Sequence, residues 1–255
     1  MSIIKSLIIA FAMYSKIPMP IVEWKKENMR YAMCFFPAVG AVIGGCIYLI
    51  GRLLSSCQVG GLLKGTIYTV VPILISGGIH MDGFMDTMDA KASYGDREKK
   101  LEILKDSHAG AFAILGLGCY LLLSTAVWSE MPDSMLPFAA MVYVMSRSFS
   151  GLSVVLFRAA RNSGLLKTFQ DHAQKRIVGL TMCGYIAACV GIMSIMDWKT
   201  AIVVFLLVLA VFFYYRRLSY SQFGGITGDL AGYFLQVSEL VMLAGIMILG
   251  GGLWS

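Results

Sequence analysis

Ile67-Tyr-Thr-Val-Val-Pro72-Ile-Leu-Ile-Ser76-Gly-Gly-Ile-His80-Met-Asp82-Gly-Phe-Met-Asp86-Thr-Met-Asp89 carries an apolar run directly into three carboxylates. The apolar part reads as the end of a membrane-crossing helix. The acids, spaced i, i+4, i+7, fall on one stripe if the chain stays helical. Three aligned carboxylates repel one another unless a cation lies between them. Hard oxygen ligands suit Mg²⁺, with Mn²⁺ as a second choice, and such ions also bind substrate phosphates. The stretch therefore points to metal-assisted phosphoryl transfer. The plainer reading is three acids that solvate the mouth of a loop. Gly77, Gly78 and His80, which a plain solvated helix does not need, favour the first.

Outward from this stretch, composition sets the class. Of 255 residues, 58% are hydrophobic and 14% charged, with a mean hydropathy of +0.74. A soluble domain needs far less apolar surface. The expected fold is all-α: a polytopic integral membrane helical bundle, because helices satisfy their own backbone in lipid and no barrel-like alternation is present. Residues 1–255 read as one membrane-embedded domain with no linker, repeat or low-complexity tail. The net charge of +6 suits anionic lipid and phosphorylated ligands. No basic run with interleaved aromatics suggests nucleic acid. The six cysteines form no CxxC pair and read as small core hydrophobes.

About seven spans are expected: Tyr31 to Leu54, Leu62 to Ile79, Ala109 to Trp128, Met135 to Phe157, Ile177 to Met196, Ala201 to Tyr215 and Tyr233 to Leu253. Gly40, Gly44 and Gly45 give the first of these small packing faces. Ile3 to Tyr14 forms a shorter helix that lies in the interface or enters the bilayer in part, and Pro18 and Pro20 stop it. No cleavage site for a signal peptide is visible before Lys16. Between the spans, loops near 82–108, 158–176 and 216–232 are basic, whereas 129–134 has no Lys or Arg. The positive-inside rule places the three basic loops in the cytoplasm of a multi-pass protein, so one site draws on all three.

Two further clusters carry polar chemistry. Lys105-Asp106-Ser107-His108-Ala-Gly110 crowds a cation, acid, hydroxyl and imidazole at the entrance to a span. It reads as a phosphate clamp or further metal ligand, or as a helix cap by Asp106 or Ser107. Phe223-Gly-Gly225-Ile-Thr227-Gly-Asp229 brings backbone amides and a capping residue together, an anion or metal site at a helix start. Glu239 and Arg147 lie inside apolar runs, where a charge needs a ligand or a partner. For Glu239 the alternative is a neutral acid bonded to another helix, and for Arg147 a structural salt bridge.

Taken in order, these blocks resemble the cobalamin synthase family, the adenosylcobinamide-GDP ribazoletransferases of late vitamin B12 synthesis. Phe11 to Pro20, Phe36 to Gly44, Gly77 to Asp89, Arg97 to Gly110 and Gly225 to Gly232 carry the resemblance over nearly the whole chain. Ala90 and Ala109 depart from the pattern, which has Gly and a larger aliphatic residue there. The resemblance implies joining of adenosylcobinamide-GDP to α-ribazole or its 5′-phosphate, releasing GMP, at the cell (inner) membrane. It implies Mg²⁺ held by Asp82, Asp86 and Asp89, with Asp106 as a further ligand. His80 or an acid takes the hydroxyl proton, while Lys105, His108, Arg97 and Ser107 hold phosphate. Arg147, Gly225, Thr227, Asp229 and Glu239 are the remaining substrate-binding candidates. A second copy of the chain and other corrinoid-pathway enzymes are candidate partners. The competing readings are a CDP-alcohol phosphotransferase making a lipid, which lacks the expected Ala-Arg pair here, and a cation transporter.

Overall fold

The computed structural model describes residues 2–251, and the described chain is helical with one isolated pair of extended residues. In order the helices are α1 (Ser2–Tyr14), α2 (Lys26–Met29), α3 (Phe36–Ser56), α4 (Gly61–Ser76), α5 (Ile79–Ala92), α6 (Arg97–Ile103), α7 (Ala111–Ser129), α8 (Leu136–Leu156), α9 (Leu165–His172), α10 (Lys175–Leu218) and α11 (Gly228–Gly250). Five apolar helices are long enough to cross a membrane, or up to six if α4 and α5 together make one span. α1 remains a shorter apolar helix, as expected. The final residues of the expected last span, Gly252 and Leu253, lie outside the described residues.

α10 explains how this count relates to the seven expected spans. At Asp197 its backbone leaves the helical region (φ −156°, ψ 110°), and the Asp197 carboxylate accepts from the Thr200 amide at 2.9 Å, capping a new helix. Met182, before the break, sits against Gly151 of α8. Phe212, after it, meets Phe149 and Phe157 with ring centroids 5.3 and 5.0 Å apart. A straight helix would hold residues 182 and 212 about 45 Å apart at 1.5 Å per residue. The chain therefore doubles back at Asp197, and the longest apolar segment is two antiparallel helices.

Close packing follows the small residues. Gly40 and Gly44 bring α3 against the backbone of α8 at Tyr143 and Ala140, whereas Gly45 meets nothing and serves no packing face. At one end of the bundle Gly61 stands against Ser129, Gly250 against Met135, and Lys64 pairs with Asp133 at 3.1 Å. The opposite end gathers the polar segments. Ile226 N–H donates to the Arg158 carbonyl and Ala160 N–H to that of Ile226, each at 2.9 Å. Lys100 reaches Gln222 at 2.8 Å, and Arg161 bonds the Leu101 carbonyl. The three basic stretches thus meet at one end.

The expected loop from Asp82 to His108 is corrected. Asp82–Ala92 is helix, and α6 follows after four residues. Gly77 and Gly78 are both left-handed (φ 66° and 78°), a conformation that costs glycine little. They stop α4 at Ser76 and turn the chain by 98°. Met81, Phe84, Met85 and Met88 give α5 an apolar face, packed with Leu117, Tyr120, Leu218 and Tyr233.

Candidate active site

α5 lies across the start of α11, and two glycines set the distance. A Cβ on Gly83 would stand 2.8 Å from the Asp229 backbone, and one on Gly232 would stand 2.8 Å from the His80 carbonyl. This crossing carries Asp82 and Asp86 to Asp229. The charges of Asp82, Asp229, Asp89 and Asp106 all bear on Asp86. Among the described residues no cation forms an ion pair with Asp82, Asp86 or Asp229.

The other two acids have partners. Asp89 accepts from the amides of Gly110 (2.6 Å) and Ala113 (2.9 Å), closing the exposed start of α7. Asp106 bonds the ring and the backbone amide of His108, at 2.8 and 3.0 Å. The His108 contacts hold its carboxyl below the usual carboxylate range. Among the described residues no three His, Cys, Asp or Glu side chains converge to hold a metal by themselves. The donor chemistry nevertheless fits Mg²⁺, which is commonly bound by one or two carboxylates and completed by substrate phosphate.

Asp82 and Asp229 open into a cavity of about 310 Å³. Its lining includes the polar side chains of Arg161, Ser163, Lys167 and Thr227 and, from the core, Tyr14, Met33, Phe36, His80, Ser150 and Phe169. Thr227 is the N-cap of α11, accepting from Leu230 N–H at 3.2 Å. Arg161 acts electrostatically on Asp229. Lys167 is paired with Asp171. His80 is 5% exposed, and its Nε2 meets no described partner.

The remaining sequence candidates lie elsewhere. Lys105, Asp106, Ser107 and His108 form an exposed loop outside the lining of this cavity. Asp106 and His108 border a shallower depression with Asp89 and Gly110. Arg97 donates to the Ala160 carbonyl at 3.3 Å and packs on Gly224, tying two loops together. Gly225 gives the room for the Arg158–Ala160 backbone to approach. Arg147 and Glu239, read as substrate contacts, are instead bonded to each other at 2.7 Å in the core, 2% and 3% exposed. Neither lines the cavity, and Ser146 donates to the same Glu239 oxygen at 2.7 Å. Arg161, Lys167 and Tyr14 line the cavity but are not among the sequence candidates. The cations in the second basic loop were the available signal.

A family model described as Cobalamin-5-phosphate synthase matches residues 6–247. A protein of Lachnoclostridium phytofermentans named adenosylcobinamide-GDP ribazoletransferase is 46% identical over 98% of each chain. Relatives of the same name in Clostridium perfringens strain 13 and Pseudomonas entomophila are 30% and 29% identical. They align over 96% and 94% of this chain and 97% and 98% of their own. No solved structure matches the chain significantly.

Proposed function

The chain belongs to the cobalamin-5-phosphate synthase family, and from that membership we propose that it joins adenosylcobinamide-GDP to α-ribazole or its 5′-phosphate in the membrane, with release of GMP. The observation that carries this reading is full-length kinship with ribazoletransferases, together with the opening of Asp82 and Asp229 into one cavity.

The roles of the residues follow from place and charge. Asp82 and Asp229 border the cavity and Asp86 lies within their field, so one or two of these carboxylates, completed by substrate phosphate, would hold the metal. Mg²⁺ bound there supplies positive charge against a diphosphate and its leaving GMP. Asp89 keeps α7 and the Asp106 loop in register with α5 through its amide bonds. Arg161 and Lys167 offer cationic groups to a phosphorylated ligand in the cavity. At the depression that Asp89, Asp106 and His108 border, His108 and Lys105 of the same loop offer donors to phosphate oxygens of the larger substrate. Asp82 on the cavity lining accepts the proton of the attacking ribose hydroxyl. The polar end of the bundle faces the cytoplasm, by the same excess of Lys and Arg in its loops.

The test is product identification by mass spectrometry after incubating the purified full-length protein, in lipid, with both substrates and Mg²⁺. A corrinoid carrying the ribazole base supports the assignment. A lipid product from CDP-diacylglycerol, with no corrinoid product, overturns it.

A further inference from the structure

We infer that Arg158 and Arg216, laid on the ring of Tyr220 at the polar end of the bundle, form a binding site for the phosphate headgroup of an anionic phospholipid. The inference goes beyond the transferase reading and does not depend on it.

The guanidinium carbons of Arg158 and Arg216 lie 5.2 and 5.1 Å from the centre of the Tyr220 ring, and that of Arg216 also lies 5.8 Å from the centre of Phe157. Cations rest on aromatic faces at such distances. Both arginines share one ring, so their charges sit within roughly one Debye length of each other, about 10 Å at 0.1 M salt, and repel. Among the described residues neither forms an ion pair with an acid. The ring attracts both cations and neutralises neither. An anion is what the arrangement lacks.

The site is also held in place. Arg158 N–H donates to the Tyr220 hydroxyl and Arg158 Nε to the Gly224 carbonyl, each at 3.0 Å. Ile226 N–H donates to the Arg158 carbonyl at 2.9 Å, so the arginine pair and the approach to α11 share one backbone pairing. Both arginine side chains are nevertheless exposed.

Position selects the kind of anion. Neither arginine lines the cavity or borders the depression at His108. Each instead follows an apolar side chain that the protein leaves uncovered. Leu156, two residues before Arg158, is 62% exposed, and Phe213, three residues before Arg216 on α10, is 60% exposed. Arg216 therefore stands about one helical turn beyond a residue that faces acyl chains, the level at which headgroups begin. Guanidinium meets phosphate through parallel hydrogen bonds, and the cytoplasmic leaflet is the one rich in anionic lipid.

The test counts bound lipid by native mass spectrometry of the full-length protein in detergent, titrated with phosphatidylglycerol or phosphatidylcholine. The wild type is expected to prefer phosphatidylglycerol. Arg216→Gln should weaken that binding by about tenfold, the loss of a charge-assisted contact. Arg217→Gln, an equal change of charge on the exposed neighbour, should leave it nearly unchanged. Arg158→Gln should match Arg216→Gln and gives the same reading if that variant fails to fold. Equal losses in Arg216→Gln and Arg217→Gln would mean diffuse attraction of a basic surface and overturn the site, as would undiminished phosphatidylglycerol binding in Arg216→Gln. Titrations with GMP and adenosylcobinamide-GDP separate a headgroup from a soluble phosphate: if Arg216→Gln weakens either of these and spares phosphatidylglycerol, the lipid assignment is overturned.

Discussion

Gly83 and Asp229 touch where α5 crosses the first turn of α11: a Cβ on Gly83 would lie 2.8 Å from the Asp229 backbone. The distance between the two acid-bearing helices is therefore set by a missing side chain. Gly83→Ala has to part them. Overpacking of this kind costs about 1–3 kcal/mol, and the expected result is a lowered melting temperature with a loss of turnover greater than the loss of folded protein. Thermal melts and GMP release on the same sample check both.

Asp229→Asn separates electrostatic function from stability. Its half-buried carboxylate shares an acidic group with Asp82 and Asp86 and feels Arg161 as an opposing charge, so a neutral amide removes the cost of burying a charge and the repulsion from Asp82 along with the Arg161 attraction. Turnover should fall on the order of 100-fold, as when one preorganised charge partner is removed from a site, while the melting temperature holds or rises. A variant that melts earlier and keeps its activity would make Asp229 structural.

Asp89→Ala should behave in the opposite sense. Its carboxylate closes the start of α7 through two amides, and loss of a helix cap costs roughly 0.5–2 kcal/mol. The expected outcome is a lower melting temperature and a smaller loss of turnover than in Asp229→Asn. Comparing the two variants at saturating Mg²⁺ distinguishes scaffold from metal ligand.

The Arg147–Glu239 pair is buried at 2.7 Å. Removing one partner leaves an uncompensated charge, a loss of about 3–5 kcal/mol. Glu239→Gln and Arg147→Met should each destabilise the protein strongly. The double variant Arg147→Met/Glu239→Leu should recover much of that, as read by denaturation in detergent.

The helical class and the gathering of polar segments at one end could be read from apolar runs and loop charge. The fate of individual charges could not. Asp89 looked like a third metal ligand because its stripe position is local, whereas the amides it serves lie more than twenty residues along the chain. Glu239 and Arg147 each looked like a ligand contact because their partner sits 92 positions away. Asp82–Ala92 looked like loop because three acids appear there at the end of an apolar run. The apolar face of Met81, Phe84, Met85 and Met88 was the helical signal there. The turn at Asp197 was visible as a polar gap between two apolar runs, and its cap on Thr200 confirms two helices.

The most direct measurement follows GMP release by the wild-type protein and Asp82→Asn, each with adenosylcobinamide-GDP and α-ribazole, across a Mg²⁺ titration that begins in chelator. The expected result is no GMP without metal, GMP matched by corrinoid product with it, and a loss on the order of 100-fold in Asp82→Asn that higher Mg²⁺ only partly restores. Near-normal, metal-dependent turnover in Asp82→Asn, or GMP release by the wild type in chelator, would contradict the assignment of the acidic group as the metal-holding centre.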